Sequence, residues 1–244
     1  MKTGTVAVGF LDPGSWSHCF GQSLIDLYLV DAFGSKRMVP HGKQIRESCH
    51  AGGVVAGRNS IAALFLDTTE CEWLFMVDSD MGFAPTTIDA LIASADPTER
   101  PVVGGLAFSL RKHEAGEFYG QKYVVVPTAY EYVDSDGEVG FRSMVDYPRD
   151  SLFQVSGTGA ACLLIHRSAL ERVRDAVGAH WFDPITHPGG KTFSEDLSFC
   201  VRLAAVDIPV YVNSAVRTTH DKHGVFLDEL EYDRCRALHA APTA

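Results

Sequence analysis

Short apolar runs alternate along the chain with stretches in which apolar residues recur at helical spacing. The run "TVAVGF" predicts a first strand, and Leu24, Leu27 and Tyr28 then share one face of a helix predicted to end at Gly34. The order recurs: "EWLFMV" follows a helix carrying Ile61, Leu64 and Phe65, and "PVVGGLAFSL" follows one that begins at Pro85 and carries Ile88, Leu91 and Ile92. This alternation predicts an α/β fold, a mostly parallel central sheet flanked by helices.

The second half of the chain has a different pattern. β-rich runs lie on both sides of "DSDG", which predicts an antiparallel hairpin as a small excursion from the main sheet. A further strand and helix follow in "LFQVSGTGAACLLIHRSALERV", and the Pro- and Gly-rich segment Trp181–Phe193 is predicted to be a loop. A helix from Ser194 and the last strand, "PVYVNSAVRTTH", complete the pattern. The inner face of that helix is predicted to hold Leu197, Cys200, Val201 and Ala204.

Composition narrows the class of protein. The 244 residues are 46% hydrophobic, enough for one sizeable core, and the formal net charge of −10 argues against a nucleic-acid partner. The six cysteines are scattered without a CxxC pair, so we expect reduced thiols and no disulfides. No apolar stretch has the length of a transmembrane or targeting segment. We therefore expect a soluble, cytoplasmic protein.

Two carboxylates, Asp78 and Asp80, end the strand "EWLFMV". Ligands of a parallel sheet bind beyond the carboxyl ends of its strands, and hard oxygen donors suit Mg²⁺ or Mn²⁺. Two residues apart in an extended segment, the side chains would point to opposite sides, so one would bind a metal and the other a ligand hydroxyl. The structural alternative is a pair of solvated turn residues.

The chain resembles the GT-A glycosyltransferases, in particular the small family 2-like enzymes of bacteria and phages. The similar segments occur in the family's order. They are "VAVGFLDPGSWSHCFGQSLIDL", "AGRNSIAALFL", "EWLFMVDSDMGFAP", "SGTGAACLLIHRSALERV" and "FSEDLSFCVRLAAVDIPVYVNSAVRTTH". The resemblance implies one GT-A, Rossmann-like domain over residues 1–244, with a nucleotide-binding half at 1–105 and an acceptor-binding half at 106–244.

The resemblance also implies a donor site. Asp78 and Asp80 would form the metal site with His220, Asp80 being the direct ligand and Asp78 lying nearer the ribose or sugar; His223 competes with His220. The residues implied to contact the nucleotide sugar are Phe10, Leu11, Asp12, Arg58, Asn59, Ser79, Gly157, Thr158, Gly159 and Trp181. Several have structural alternatives: Asn59 with Ser60 as a helix cap, the glycines as a tight turn, and Trp181, with Phe182 and His187, as packing or as sugar-stacking groups.

Glu195 and Asp196 match the family's E-D motif, in which the aspartate is the base of inverting members. A base must be ionised and within reach of the attacking hydroxyl, and Asp196 would fill that role with Glu195 orienting acceptor or loop. The alternative is that both acids stabilise the first turn of a helix capped by Ser194, by about 0.3–1 kcal/mol.

The resulting prediction is a metal-dependent glycosyltransferase. It would use Mn²⁺ or Mg²⁺ to move a sugar from a nucleoside diphosphate sugar, with UDP as the first candidate, to a hydroxyl of a protein, glycan or small molecule. Asp196 would act as base with inversion, and the loop Trp181–Phe193 would close over the donor. The alternatives are a non-catalytic nucleotide- or glycan-binding module of the same fold, and a haloacid dehalogenase-type phosphatase with Asp78 as nucleophile.

Overall fold

The structure is a computed structural model that describes residues 4–39, 42–48, 52–112, 123–135, 138–222 and 224–240. The strands are β1 (Val6–Asp12), β2 (Lys43–Ser48), β3 (Trp73–Val77), β4 (Met81–Phe83), β5 (Val102–Leu106), β6 (Phe108–Lys112), β7 (Tyr123–Pro127), β8 (Ala129–Ser135), β9 (Glu138–Ser143), β10 (Leu152–Val155), β11 (Gly157–Thr158), β12 (Cys162–His166), β13 (Val210–Lys222) and β14 (Val225–Leu227). The helices are α1 (His18–Phe33), α2 (Gly53–Thr68), α3 (Thr87–Ser94), α4 (Arg167–Val177), α5 (Glu195–Ala205) and α6 (Glu229–Ala240).

The central sheet has the strand order β10-β13-β5-β12-β3-β1-β2. β2, β1, β3, β5 and β13 run in one direction, while β12 and β10 run opposite to their neighbours. The predicted mostly parallel sheet is therefore confirmed. β12, from late in the chain, lies between β3 and β5, so strands from both halves of the chain alternate in the sheet.

Helices cover both faces of this sheet, which explains the continuous apolar runs of its inner strands. In β1, Ala7 and Leu11 pack on the face covered by α2, α4 and α5, while Val8 and Phe10 pack on the face covered by α1 and α3. Alternate side chains of a strand point to opposite faces, so every residue of such a strand is buried. A smaller apolar cluster joins α6 to the β6-β7 pair.

The predicted helices and inner strands are present, but the strands β2, β4 and β14 and the last helix, α6, were not anticipated. β2 is an edge strand in which only Ile45 is buried, so it carries no apolar pattern. β4 has three residues and forms only because it pairs with the distant β13. Two boundaries also differ: "PVVGGLAFSL" divides into β5 and β6, and α3 begins at Thr87, after Pro85.

The inner face of α5 was predicted correctly only at Cys200. Its buried residues are Ser198, Phe199, Cys200 and Leu203, while Leu197 and Val201 are half-buried and Ala204 is exposed. Phe199 packs against Phe182 with ring centroids 4.6 Å apart. The sequence of α5 has two adjacent apolar stripes at helical spacing, and either could face the core. Packing of the large Phe199 ring selects the stripe that does.

The antiparallel excursion is confirmed, because β8 pairs with β9 and with β11 in a separate three-stranded sheet. The tip of the hairpin, residues 136–137, lies outside the described residues. The described cysteines form no disulfides among themselves, and Cys49 lies outside that part of the chain. None of the described helices is both long and apolar enough to cross a membrane.

Candidate active site

Asp78 and Asp80 lie at the carboxyl end of β3, in a tight turn. The Met81 amide donates to the Asp78 carbonyl at 3.1 Å. This bond closes a turn over Asp78–Met81, and β4 begins at Met81. The prediction of an extended segment here was wrong. The two carboxylates of the turn have different protein partners, and the predicted division between a metal ligand and a ligand-hydroxyl contact stays a prediction.

The far end of β13 lies beside this turn. His220 is paired with Met81 of β4, and the Asp221 amide donates to the Asp80 carbonyl at 2.8 Å. Side chains two apart in a strand share a face, so His220 and Lys222 both reach the same carboxylate. β13 extends beyond the predicted strand end at His220, and this extension brings Lys222 into the site.

Asp80 is held by these two side chains. His220 Nε2 lies 3.1 Å and Lys222 Nζ lies 2.9 Å from Asp80 Oδ2. Burial opposes ionisation of Asp80, but hydrogen bonds and charge from His220 and then Lys222 outweigh it and lower the pKa to about 2. Asp80 is therefore an anion across the physiological pH range.

The orientation of His220 points to a cation site. His220 Nδ1 lies 2.8 Å from the Phe108 carbonyl, which accepts only, so Nδ1 carries a proton. When Nδ1 carries the only proton, Nε2 presents a lone pair beside Asp80 Oδ2, and a cation can bind between the two acceptors. When both nitrogens carry a proton, Nε2 donates to Asp80 Oδ2, and this is the bond that lowers the pKa of Asp80. Two ligands in adjacent positions of an octahedral ion at about 2.1 Å are roughly 3.0 Å apart, close to the observed 3.1 Å.

Asp78 belongs to a different group of charges. Arg58 Nη2 donates to Asp78 Oδ1 at 3.0 Å and Oδ2 at 3.2 Å, and its Nη1 donates to Glu195 Oε1 at 2.8 Å. Burial alone would lower the pKa of Arg58, but the carboxylates of Asp78, Asp196 and Glu195 raise it above its usual value. Arg58 therefore joins the turn after β3 to the start of α5. The guanidinium is engaged by carboxylates, which gives it a positioning role, and it also lines the cleft, so its predicted direct contact with the donor stays a prediction.

Asp196 lies in the first turn of α5, near Arg58 and Tyr130. Its Oδ1 accepts hydrogen bonds from the Ser194 hydroxyl and the Leu197 amide, the latter at 2.9 Å. Oδ2 lies next to Gly159, 3.5 Å from the point where a Cβ would stand. Ser194 makes no side-chain cap to the helix, because its hydroxyl is directed to Asp196. Ser194 nevertheless occupies the N-cap position and both acids lie in the first turn, so the alternative that they stabilise the helix stays open, without a side-chain cap from Ser194.

The residues at the end of β1 divide between core and cleft. Phe10 is fully buried and packs against the rings of Trp16 and Phe20, so its predicted contact with the donor is wrong. Asp12 is also buried; it accepts from the Gly14 amide and pairs with Arg46, which assigns it to the turn rather than to a ligand. Leu11 alone of the three predicted residues lines the cleft.

Two further predicted contacts, Asn59 and Trp181, are structural. Asn59 donates to Asp183 at 2.6 Å and accepts from the Phe182 amide at 2.9 Å, which fixes the start of the loop Trp181–Phe193. α2 begins at Gly53, so Asn59 is no helix cap. Trp181 is fully buried and donates from its indole to the Leu170 carbonyl, so it belongs to the core. Phe182 is buried as well.

The residues of the glycine-rich loop, Gly157, Thr158 and Gly159, also divide between core packing and the charged groups. A Cβ at Gly157 would stand 2.8 Å from the ring of Phe141 and 2.9 Å from Leu197, so this glycine is required by packing, and Thr158 is buried beside it. Gly159, next to Asp196, is the one of the three that lies near the charged groups. The predicted contacts of Gly157 and Thr158 with the donor therefore do not fit their positions.

A polar cleft of about 660 Å³ lies beside these groups; Arg58, Asp78, Asp80 and Glu195 line it, whereas His220 and Asp196 are not among its lining residues. It is lined by Leu11, Pro13, Ser15, Trp16, Ser17, Val54, Arg58, Asp78, Ser79, Asp80, Glu195, Asp221, Lys222 and Gly224. Sequence reasoning missed Trp16 and Lys222. Lys222 was detectable, since it shares a strand face with His220, and Trp16 is a 40% exposed aromatic directly after a strand. Residues from both halves of the chain form the walls.

A second cavity, of about 640 Å³, lies along α5 and is mostly apolar. Phe141, Phe193, Val201 and Val210 contribute to its walls, and His187 lies at this cavity rather than at the polar cleft. Asp78, Asp80 and Lys222 line the polar cleft and not this cavity.

Within the described residues, no group of three or more His, Cys, Asp or Glu side chains is arranged to hold a metal ion alone. Asp80 and His220 supply two donors of the right type and spacing, while Asp78 is occupied by Arg58 and does not join them. His223 lies outside the described residues. The pair fits an ion such as Mg²⁺ or Mn²⁺, which keeps several positions for water and phosphate oxygens.

No family model and no curated protein matches the sequence. Solved structures do match the fold. A197 from STIV aligns with a TM-score of 0.52 and 17% identity, covering 93% of this chain and 91% of that chain. GalNAc-T7, solved with UDP, GalNAc and Mn²⁺, aligns with a TM-score of 0.53 and 12% identity, covering 90% of this chain but 44% of that one. The chain has a GT-A-like fold, which it shares with a glycosyltransferase.

Proposed function

We propose that the protein is a metal-dependent glycosyltransferase that transfers a sugar from a nucleoside diphosphate sugar, with UDP as the first candidate, to a hydroxyl acceptor. The observation that carries this proposal is the pair Asp80 and His220. The two side chains are 140 positions apart in the sequence and lie 3.1 Å from one another. The proton on His220 Nδ1 is bonded to the Phe108 carbonyl, on the side of the ring away from Asp80. The GT-A-like fold supports the same conclusion.

Asp80 and His220 would hold the ion, Mn²⁺ or Mg²⁺, which when bound offsets the charge that develops on the departing diphosphate. The turn from Asp78 to Asp80 positions this end of the cleft, and Arg58 keeps it in register with α5 through Glu195. Trp16 lies in the loop between β1 and α1. Its ring is partly exposed at the cleft, with the Arg46 guanidinium 5.4 Å from its centroid, and offers an aromatic surface against which a base can stack.

Asp196 is the proposed base. It accepts the proton of the acceptor hydroxyl while that oxygen attacks the anomeric carbon of the donor, and attack opposite the leaving diphosphate inverts the configuration. Its Oδ1 is oriented by Ser194 and the helix backbone, which leaves Oδ2 on the side of Gly159.

The predicted division into a donor half, 1–105, and an acceptor half, 106–244, remains a prediction, as does closure of the loop Trp181–Phe193.

The phosphatase alternative is disfavoured by the geometry. A nucleophilic Asp78 needs an oxygen directed at the phosphorus, and both of its oxygens accept from Arg58. A sugar-transfer assay distinguishes the non-catalytic alternative, because a binding module would bind the nucleotide sugar without transferring the sugar.

The test is binding of UDP-, GDP- and dTDP-sugars with and without Mn²⁺, measured by calorimetry on the unaltered protein and on Asp80→Ala and His220→Ala. We expect one donor class to bind only with Mn²⁺, and both variants to lose at least about tenfold in affinity, the size of effect expected when a charged contact is removed. Asp207→Ala, at the apolar cavity, is the matched control and should bind normally. Equal donor affinity in Mn²⁺ and in EDTA would contradict the proposal.

A further inference from the structure

Lys222 occupies the oxygen at which a metal ion would bind. Its ammonium lies 2.9 Å from Asp80 Oδ2, and the same oxygen faces His220 Nε2 at 3.1 Å. The backbone bond from the Asp221 amide to the Asp80 carbonyl holds the strand in place, so the two side chains, on one face of β13, meet at a single atom.

An ammonium and a divalent ion cannot share this oxygen. An ion bound by Asp80 Oδ2 and His220 Nε2 at about 2.1 Å would lie within a few ångströms of the lysine nitrogen. The ammonium has three donors and no lone pair, so it cannot act as a ligand, and two positive charges this close repel one another.

Lys222 is free to leave, in contrast to Arg58. The Lys222 side chain is 38% exposed, whereas that of Arg58 is 5% exposed and bonded to two carboxylates. A four-carbon stem allows the lysine nitrogen to move several ångströms at little cost. Lys222 lines the cleft proposed for the donor, so a diphosphate placed there is within its reach.

We propose that Lys222 and a divalent cation are alternative partners of Asp80, and that Lys222 moves to the donor diphosphate when the cation binds. The ion then binds more tightly when a diphosphate is present, because the displaced ammonium gains a new anion. The first part depends only on Asp80, His220 and Lys222; the diphosphate part rests on the function proposed above.

The experiment measures Mn²⁺ affinity, by calorimetry and by Mn²⁺ spin resonance, for the unaltered protein, Lys222→Met and Lys222→Arg. With Mn²⁺ alone, Lys222→Met should bind roughly five- to tenfold more tightly, the effect of removing one competing charge from a partly exposed pair, and Lys222→Arg should resemble the unaltered protein. Lys43→Met is the control, since Lys43 bonds to Thr68 on the surface, and should change nothing. UDP should raise Mn²⁺ affinity by a larger factor in the unaltered protein than in Lys222→Met.

Mn²⁺ affinity that is unchanged or weaker in Lys222→Met, or no Mn²⁺ binding by either protein, would overturn the inference. Far-ultraviolet circular dichroism and thermal unfolding establish that the variants are folded, and Lys222→Gln replaces Lys222→Met if the latter is not. The Mn²⁺-only measurements separate this inference from the proposed function. Failure of any nucleotide to bind would remove the function while leaving the competition at Asp80 to be judged on the ion alone.

Discussion

The two aspartates of one turn, Asp78 and Asp80, are two residues apart and lie in unlike electrostatic surroundings. Asp78 is paired with Arg58, a buried cation that also holds Glu195. Asp80 is paired with Lys222, a half-exposed cation, and with His220. The carboxylates themselves are similarly exposed, at 27% and 36%. The difference therefore lies in their partners.

A buried guanidinium with bidentate contacts cannot be exchanged for an incoming ion without leaving charges unpaired in the interior. A flexible ammonium at the surface can be exchanged at small cost. The contacts of Asp78 are therefore fixed, because Arg58 ties this carboxylate to Glu195 at the start of α5. The contact of Asp80 with Lys222 can be exchanged for a contact with a metal ion. A repeated carboxylate in a short motif thus need not mean a repeated role.

The largest expected effect is at Asp196, which lies near Arg58 in the first turn of α5. Asp196→Asn keeps the size of the side chain but removes the proton acceptor, so sugar transfer should fall by roughly 10²–10⁴-fold while donor affinity is retained. Single-turnover transfer and equilibrium donor binding measure the two quantities separately. A variant that transfers at nearly the normal rate would return Asp196 to a helix-stabilising role.

The stability of two variants tests the comparison directly. Arg58→Met leaves Asp78 and Glu195 without their cation; both are about a quarter exposed, so we expect a loss of about 3 kcal/mol, the lower end for a broken buried pair. Lys222→Met should cost less than about 1 kcal/mol because its pair is open to solvent. Urea unfolding of both proteins measures the difference. Equal losses would mean that the two carboxylates are held alike.

The smallest expected effect is a pH dependence of stability at Asp80. Its pKa is lowered from 3.8 to about 2, so its ionised contacts stabilise the folded state above about pH 4, and this contribution disappears as pH falls towards 2. Because the side chain is about one-third exposed, screening reduces the contribution to about 1 kcal/mol. The unfolding free energies of the unaltered protein and Asp80→Asn should therefore differ at pH 5 and converge near pH 2.

Convergence is the informative outcome, since a protonated aspartate and an asparagine have similar contacts. A difference that stays constant over this range would mean that charge at Asp80 contributes nothing to folding. Asp146→Asn, on an exposed pair with Arg236, serves as the control and should show little change.

Sequence reasoning grouped the charged residues of the candidate site better than it assigned individual contacts with a ligand. It placed Asp78, Asp80, Glu195 and His220 in one region, and the structure brings them to one end of the sheet. It erred at Phe10 and Trp181, which are fully buried, because an aromatic residue next to a loop gives the same local pattern whether it faces a ligand or the core. It missed β4 because three residues carry no periodicity.

The sequence alone determined the features that depend on neighbouring residues. Apolar runs such as that of β3 form strands buried on both faces, amphipathic stretches form the covering helices, and a strand that ends in Asp78 and Asp80 presents two carboxylates at the edge of the sheet.

Only the tertiary structure decided which cation meets which carboxylate. Arg58 lies 137 positions before Glu195, and Lys222 lies 142 positions after Asp80. Contacts across such distances depend on strand order, on the extension of β13 past His220 and on the burial of α2. No local pattern specifies them, because the free energy that selects them comes from packing the whole sheet and its helices.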